Sequence, residues 1–387
     1  MDVFLYTATI VSLVLVVYHH AGYPLVLRWL ATRKRRAPAP ANLDADVSRS
    51  ICLVVPAFNE ARFISDKLRN LAALDYPSDK LRVLVACDGC TDDTAAIARE
   101  VLREPECRAL RAEVLDFKMN RGKVAVINHV APHITEDLIA MSDVSALVSM
   151  DALQVVAAEF SDPSVGVVSG HYRLLNPGSV GEAAYWQYQN TVKSDEAALG
   201  ATLGAPGAFY VIRRSAFAPL EPDTINDDFV LPMRVVAAGF RATHTAKINA
   251  VELEGSTDSM DQRRRRRIAA GNTQQLLRLK ALLTPRFGGI AFAFASGKAL
   301  RVLVPYLMLT ALLGSWALAP VSTPFACLAA MQSSVYLMAA LVAWLDPKVP
   351  GAIRAVCYLV NGHVAGLIGS IRYLAGLESG RWTRVTQ

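Results

Sequence analysis

The sequence has few cysteines, and it lacks both of the glycine-rich loops that cradle nucleotide phosphates in common α/β folds. Its six cysteines are scattered, and only Cys87 and Cys90 stand close enough to form a C-x-x-C pair, so no disulfide framework is indicated. No G-x-G-x-x-G follows the first predicted strand, and G-x-x-x-x-G-K-[ST] is absent throughout. The usual dinucleotide and P-loop sites are therefore excluded.

Charged residues are also sparse, at 19% of the chain, whereas 53% are hydrophobic and the mean hydropathy is +0.29. This balance is too apolar for an ordinary soluble enzyme. Residues 3–27 are long enough to cross a bilayer, and the basic cluster at 33–36 (RKRR) follows the run, unlike in a secretory signal peptide. We expect a membrane helix at 1–30 and a basic linker at 31–48, with the side after the cluster cytoplasmic.

The C-terminal third contains three further apolar runs, which predict membrane helices between residues 299 and 378, followed by a tail at 379–387. The runs are 301–319, 324–345 and 354–377, separated by proline-containing breaks. Residues 286–298 are short, apolar and interrupted by glycine. This segment is interpreted as an interfacial helix, or alternatively as the start of the first C-terminal span.

Between the membrane regions, residues 49–285 alternate short β-rich runs with helical stretches. The predicted strands are 51–55, 81–85, 113–115 and 138–141, and the predicted helices are 60–74, 92–102 and 122–130. This alternation is typical of an α/β domain with a mostly parallel sheet covered by helices. Ligands of such sheets bind beyond the carboxyl ends of the strands.

Polar side chains follow the predicted strands at that edge. Asn59 and Glu60 come after the first strand, Asp88 after the second and Asp143 after the fourth. Each alone could be a turn or capping residue, but together they indicate a binding site. Without a glycine loop, a bound diphosphate needs a divalent cation held by carboxylates, together with arginine or lysine.

These segments resemble the inverting family 2 glycosyltransferases of the GT-A fold, in the membrane-bound group that includes cellulose, chitin and hyaluronan synthases. The likeness covers about residues 50–275 and the arrangement of one plus three membrane helices. The matching segments, in order, are 54–60 (VVPAFNE), 87–92 (CDGCTD), 122–128 (GKVAVIN), 142–145 (SDVS), 204–208 (GAPGA), 226–228 (NDD) and 264–268 (RRRRI).

The resemblance implies a role for each matched position. The donor-binding residues are expected to be Pro56, Asn59, Glu60, Asp88, Lys123, Asp143, Arg264 and Arg267. The acceptor is expected at Gly207 and Ala208, and Mg²⁺ or Mn²⁺ at Asp143 and Ser145. Asp228 is the expected general base, with Asp227 as its possible substitute. The arginines of 263–267 cannot all face phosphate; some are expected to be solvated or to contact lipid headgroups.

Two departures from the family pattern bear on the reaction. Ser145 replaces the second acidic residue of the metal-binding D-x-D, so the ion would depend on Asp143, the donor diphosphate and water. Arg264 and Ile268 replace the glutamine and tryptophan of Q-x-x-R-W. Because that tryptophan offers the sugar chain a stacking surface, its absence favours the addition of one or a few sugars over a long polymer.

The predicted function is inverting transfer of a hexosyl residue from a nucleotide-sugar, with a UDP-sugar expected, to a polysaccharide or lipid-linked acceptor at a bacterial-type inner membrane. The net charge of +6 is attributed to the membrane surface and the diphosphate rather than to nucleic acid. Other polysaccharide-assembly proteins are further expected partners. Two alternatives stay open: a membrane enzyme that transfers nucleotidyl or phosphate groups, and a transporter subunit with a nucleotide-binding domain.

Overall fold

The computed structural model describes residues 2–34, 49–177, 180–254, 258–345 and 349–378. The chain divides into two compact units. The helical unit contains Met1–Leu27, Asp258–Leu283 and Ala291–Glu378, and the sheet unit contains chiefly Arg28–Thr257 with Thr284–Ile290.

One mixed sheet forms the centre of the sheet unit. Its strands are β1 Ile51–Ala57, β2 Leu81–Asp88, β3 Arg111–Phe117, β4 Leu138–Met141, β5 Ala146–Val148, β6 Val165–Leu174, β7 Tyr210–Arg213 and β8 Arg241–Glu252. Their order across the sheet is β3-β2-β1-β4-β7-β6-β8-β5. The first four strands are parallel, whereas the pairings β4–β7, β6–β7 and β5–β8 are antiparallel.

The helices are bounded as follows. They are α1 Asp2–Val17, α2 Tyr23–Lys34, α3 Ile64–Ala72, α4 Thr94–Val101, α5 Lys123–Val130, α6 Ala152–Glu159, α7 Val180–Ala198, α8 Asp227–Ala237, α9 Asp258–Arg278, α10 Gly289–Ala293, α11 Leu300–Leu318, α12 Thr323–Leu345 and α13 Gly351–Leu374. Short π-helical segments join α1 to α2 and α10 to α11. The strand–helix alternation predicted for this domain is confirmed.

Complete burial of the central strands explains why they read as unbroken apolar runs. All seven residues of β1 are buried, and β2 is buried except at Arg82. The pairing of β1 with β4 ends at Val54 and Met141, whereas its pairing with β2 continues to Ala57. The carboxyl end of β1 is therefore open on the β4 side, where Pro56 needs no ladder hydrogen bond.

The predicted arrangement of one plus three long apolar helices is confirmed. Four helical segments are long and apolar enough to cross a membrane: Val3–Lys34, Gly289–Leu318, Thr323–Leu345 and Gly351–Leu374. One continuous helical segment extends from Gly289 to Leu318. Most of the segment 286–298 is therefore the start of this candidate span, which was the second of the two predicted alternatives. Within the helical unit a side chain at Gly314 would stand 2.0 Å from Thr9 Oγ1, so these helices pack through small residues.

Helix α9, which carries the arginine run, groups with the helical unit. The sequence-based bounds of the catalytic domain, 49–285, included it with the sheet, and those bounds stay a prediction.

Candidate active site

The turns after β1 and β2 are joined by side chains from both. Asn59 has a left-handed backbone, φ +55°, which asparagine tolerates better than most residues. Its Oδ1 accepts a hydrogen bond from the Thr91 amide at 2.8 Å. The Glu60 amide donates to Thr94 Oγ1 at 2.8 Å, and Glu60 itself is buried. With Pro56 buried at the end of β1, the predicted first-strand residues lie together and shape this edge.

Asp88, at the end of β2, is fully buried and fixes the next loop. Its carboxylate accepts hydrogen bonds from the amides of Arg121, at 3.0 and 3.1 Å, and Gly122, at 2.7 Å. Gly89 has φ +66°, and a Cβ there would lie 2.2 Å from the Asn120 amide nitrogen. The two loops therefore approach backbone to backbone, and Asp88 orients the entry to α5. Its predicted contact with the nucleotide stays a prediction.

Arg121 is a candidate residue that the sequence analysis missed. Its guanidinium carbon lies 3.9 Å from the centroid of the Phe117 ring, and Nε lies 3.7 Å from Asp88 Oδ1. Among the described atoms, the buried Nε and Nη2 have no hydrogen-bond partner. Such a fork suits an anionic or carbonyl oxygen. The available signal was its position directly before the Gly122-Lys123 pair.

Lys123 joins two of the predicted carboxylates. Its Nζ lies 2.8 Å from Asp143 Oδ1 and 3.4 Å from Asp227 Oδ2. Burial lowers the pKa of Lys123, but the two carboxylates outweigh it and hold the pKa well above its usual range. The lysine is therefore a fixed positive charge in the middle of the site.

Gly207 lies between the predicted metal ligand and the predicted base. A Cβ at Gly207 would lie 2.9 Å from Asp143 Oδ2 and 3.4 Å from Asp228 Oδ2. The missing side chain leaves a small space bordered by two carboxylates. The neighbouring Ala208 is buried, and its carbonyl accepts a hydrogen bond from Ser142 Oγ at 2.6 Å. The structure thus brings the donor-side and acceptor-side predictions together.

The oxygen ligands present fit a hard divalent cation only in part. Ser145 is half-buried beside the same loop, and its backbone carbonyl accepts from the Leu253 amide at 2.8 Å. Across the described ranges, no three His, Cys, Asp or Glu side chains come together as a metal site. Asp143 Oδ2, at the space beside Gly207, is of the oxygen type that Mg²⁺ and Mn²⁺ prefer. An ion here would need the donor's phosphate oxygens to complete its shell.

Tyr210 on β7 is a second residue that the sequence analysis missed. It is fully buried, and its hydroxyl has no partner among the described residues. Burial, followed by the neighbouring Asp227 carboxylate, raises the pKa of Tyr210 well above its ordinary value. The phenol therefore stays protonated near Asp227.

The two arginines predicted to contact phosphate, Arg264 and Arg267, do not belong to the sheet unit that carries this cluster. Arg267 lies on α9 in the helical unit and is half-buried. The side chain of Arg264 falls outside the described residues. Both phosphate contacts stay predictions.

Comparison with known proteins defines the class. The family model described as Glycosyltransferase like family 2 matches residues 48–273, and the chain belongs to this family. The resemblance to family 2 glycosyltransferases is thereby confirmed. The chain is 25% identical, over 256 residues, to poly-beta-1,6-N-acetyl-D-glucosamine synthase of Staphylococcus aureus (strain COL), a match covering 64% of this chain and 60% of that protein.

A second relative is the beta-monoglucosyldiacylglycerol synthase of Synechocystis, 28% identical over 214 residues, with 51% of this chain and 43% of that protein covered. The chain thus spans less than two thirds of the length of these relatives. Among solved structures, the mannosyltransferase PcManGT from Pyrobaculum calidifontis, in complex with GDP-Man and Mn²⁺, has a TM-score of 0.73 at 23% identity. It covers 96% of this chain and 100% of its own, and it shows that the fold is shared.

Proposed function

We propose that this protein transfers a hexosyl residue from a nucleotide-sugar, with a UDP-sugar as the expected donor, to a glycan or lipid-linked acceptor with inversion at the anomeric carbon. The observation that carries the proposal is the space at Gly207. It is bordered by Asp143, which is paired with Lys123, and by Asp228. A site for group transfer needs a charged donor side and a basic acceptor side within one small volume.

Asp228 is assigned as the general base. It lies in the first turn of α8, where the helix dipole favours the ionised carboxylate. Lys123 lies 3.4 Å from Asp227 Oδ2, whereas Asp228 Oδ2 borders the space at Gly207. This difference favours Asp228 over Asp227 as the group that removes the proton from the acceptor hydroxyl.

The leaving diphosphate needs positive charge that is already in place. Lys123 supplies it beside Asp143, and Arg121 supplies a guanidinium whose buried Nε and Nη2 have no hydrogen-bond partner among the described atoms. Asp88 holds the loop of 120–122 and so orients both cations. Mg²⁺ or Mn²⁺, when held by Asp143 and the donor, would add charge to the same oxygens.

We assign the enzyme to a membrane and its acceptor to glycans or lipids. Four long apolar helices support an integral membrane protein, and the cluster at 33–36 favours a cytoplasmic sheet unit. A polysaccharide synthase and a glucolipid synthase among the relatives support a glycan or lipid acceptor. We place the enzyme at a bacterial-type inner membrane, in contact with lipids and with other polysaccharide-assembly proteins.

A donor screen tests this proposal. Purified protein is incubated with radiolabelled UDP-, GDP- and dTDP-sugars, with Mn²⁺ or Mg²⁺ and membrane lipid extract, and nucleotide release and labelled product are measured. The proposal is supported if one donor gives nucleotide release coupled to labelled product, and if this activity is lost in Asp228→Asn but kept in Asp75→Asn. Asp75 is an exposed aspartate outside the site. Absence of turnover with every donor, or equal rates in both variants, would contradict the proposal.

A further inference from the structure

Lys67, on α3, is a fully buried lysine that belongs to none of the nucleotide-binding motifs. It is 0% exposed, and its Nζ donates hydrogen bonds to Ser142 Oγ at 2.6 Å and to the Ala146 carbonyl at 2.5 Å. Lysine is almost never fully buried without such partners. Burial lowers the pKa of Lys67 to about 7, against the nearby Asp143 carboxylate, so the burial works against the charged form.

The two acceptors of Lys67 stand at either end of the segment 142–146. This segment follows β4 and carries both Asp143 and Ser145. Its start is also held by the Ser142 amide, which donates to the Val54 carbonyl at 3.1 Å. One side-chain amine therefore holds both ends of the loop that presents the Asp143 carboxylate.

The contact continues to the acceptor side of the site. Ser142 Oγ accepts from Lys67 and donates its own proton to the Ala208 carbonyl at 2.6 Å. Ala208 follows Gly207, whose missing side chain faces Asp143 and Asp228. The chain Lys67–Ser142–Ala208 thus connects the two segments that border the reacting space, and we name it the Lys67 relay.

We propose that Lys67 is a positioning residue for sugar transfer, which holds the Asp143 loop and the Gly207-Ala208 segment at a fixed separation through Ser142. This inference rests on the proposed function of the site. A mutation far from the chemistry that misplaces a reacting group by about 1 Å can lower the rate on the order of 100-fold. Loss of the relay should therefore reduce kcat more than it raises the donor KM.

Asn70 provides a matched control on the same helix. Its side chain donates to the Val148 carbonyl at 2.9 Å and accepts from the Val148 amide at 2.8 Å. It is thus a comparable tether from α3 to the sheet, but its hydrogen-bond partner is Val148 rather than a member of the relay. Asn70→Leu should lower the thermal unfolding temperature while leaving kcat and KM close to wild type.

The test compares Lys67→Met, Ser142→Ala, the double variant and Asn70→Leu. Lys67→Met and Ser142→Ala should each lower the kcat for transfer by about 10- to 100-fold. The double variant should be no slower than the slower single variant, because both remove one relay. Ser142→Ala keeps the experiment decisive if Lys67→Met does not fold. Wild-type kcat in either folded single variant, or multiplying losses in the double variant, would overturn the proposal.

Hydrogen exchange separates this inference from the proposed function. Faster amide exchange in both 142–146 and 205–209 of Ser142→Ala supports the relay, even if wild-type protein transfers no sugar in any assay. Faster exchange in 142–146 alone overturns it, because the two segments would then be independent. Failure of wild-type transfer with coupled exchange would count against the proposed function only.

Discussion

Substituting Gly207 by alanine is the smallest change that should displace the carboxylates of Asp143 and Asp228 from their present positions. The added Cβ would lie 2.9 Å from Asp143 Oδ2 and 3.4 Å from Asp228 Oδ2. Contacts between carbon and oxygen settle nearer to about 3.5 Å, so the Asp143 carboxylate must retreat by about half an ångström. Because Asp143 Oδ1 is bonded to Lys123 at 2.8 Å, the lysine would be displaced with it.

The expected result is a loss of activity without a loss of stability. A shift of this size should lower kcat/KM by roughly 10- to 100-fold, which corresponds to about 1.4–2.7 kcal/mol of transition-state stabilisation. The backbone of Gly207 lies outside the left-handed region, so alanine brings no backbone strain. The unfolding temperature should therefore stay near that of wild type.

The assay is nucleotide release at saturating acceptor, with Gly362→Ala as the matched control. Gly362 lies on α13, and a Cβ there meets nothing within 4 Å. The control should retain wild-type kcat/KM. If Gly207→Ala retains it as well, the space between Asp143 and Asp228 is not where transfer takes place.

Three further outcomes follow from the structure. Asp228→Asn should abolish transfer while donor affinity, measured by calorimetry, changes little. Full turnover in this variant would refute Asp228 as the base. If Asp227→Asn were then inactive, the role of base would belong to Asp227. Between pH 6.5 and 5.5 the sheet unit should lose roughly 1 kcal/mol of unfolding free energy, because burial holds the pKa of His244 well below its usual value and only the unfolded chain takes up a proton. Chemical unfolding should show a smaller loss in His244→Gln than in wild type, because burial also lowers the pKa of the stacked His171, which is present in both. Product sizing by mass spectrometry should give one or a few added sugars, since Ile268 is expected to stand where the family has its stacking tryptophan; products of tens of units would contradict this.

Much of the fold could be predicted because its central strands are locally legible. The runs at 51–55 and 138–141 are continuous, apolar and buried in the sheet, and each is followed by polar loop residues. The later strands were less accessible to sequence reasoning. β5 has three residues, and β7 pairs with β4 across some 70 positions of sequence. No local periodicity records such a pairing.

The sequence could indicate where the candidate site lies, because several of its residues stand at the ends of regular elements. It could not indicate the residues that join the site only through tertiary contacts. Asp143, Asp228 and Lys123 follow or begin regular elements, so their meeting at one edge follows from the sheet. Arg121 and Lys67 depend on tertiary contacts: one lies over Phe117, and the other reaches Ser142 from α3. Side chains of this kind look like surface residues until their burial is known.

The stereochemistry of a single transfer decides whether the proposed inverting mechanism is correct. In the proposed mechanism Asp228 activates the acceptor on the face opposite the diphosphate, which Asp143 and Lys123 would hold, so a single displacement inverts the anomeric carbon. With an α-linked nucleotide-sugar and a defined acceptor, proton NMR of the first product should show a β-linkage in wild type and no product in Asp228→Asn. An α-linked product, or an unchanged rate in the variant, would contradict the account.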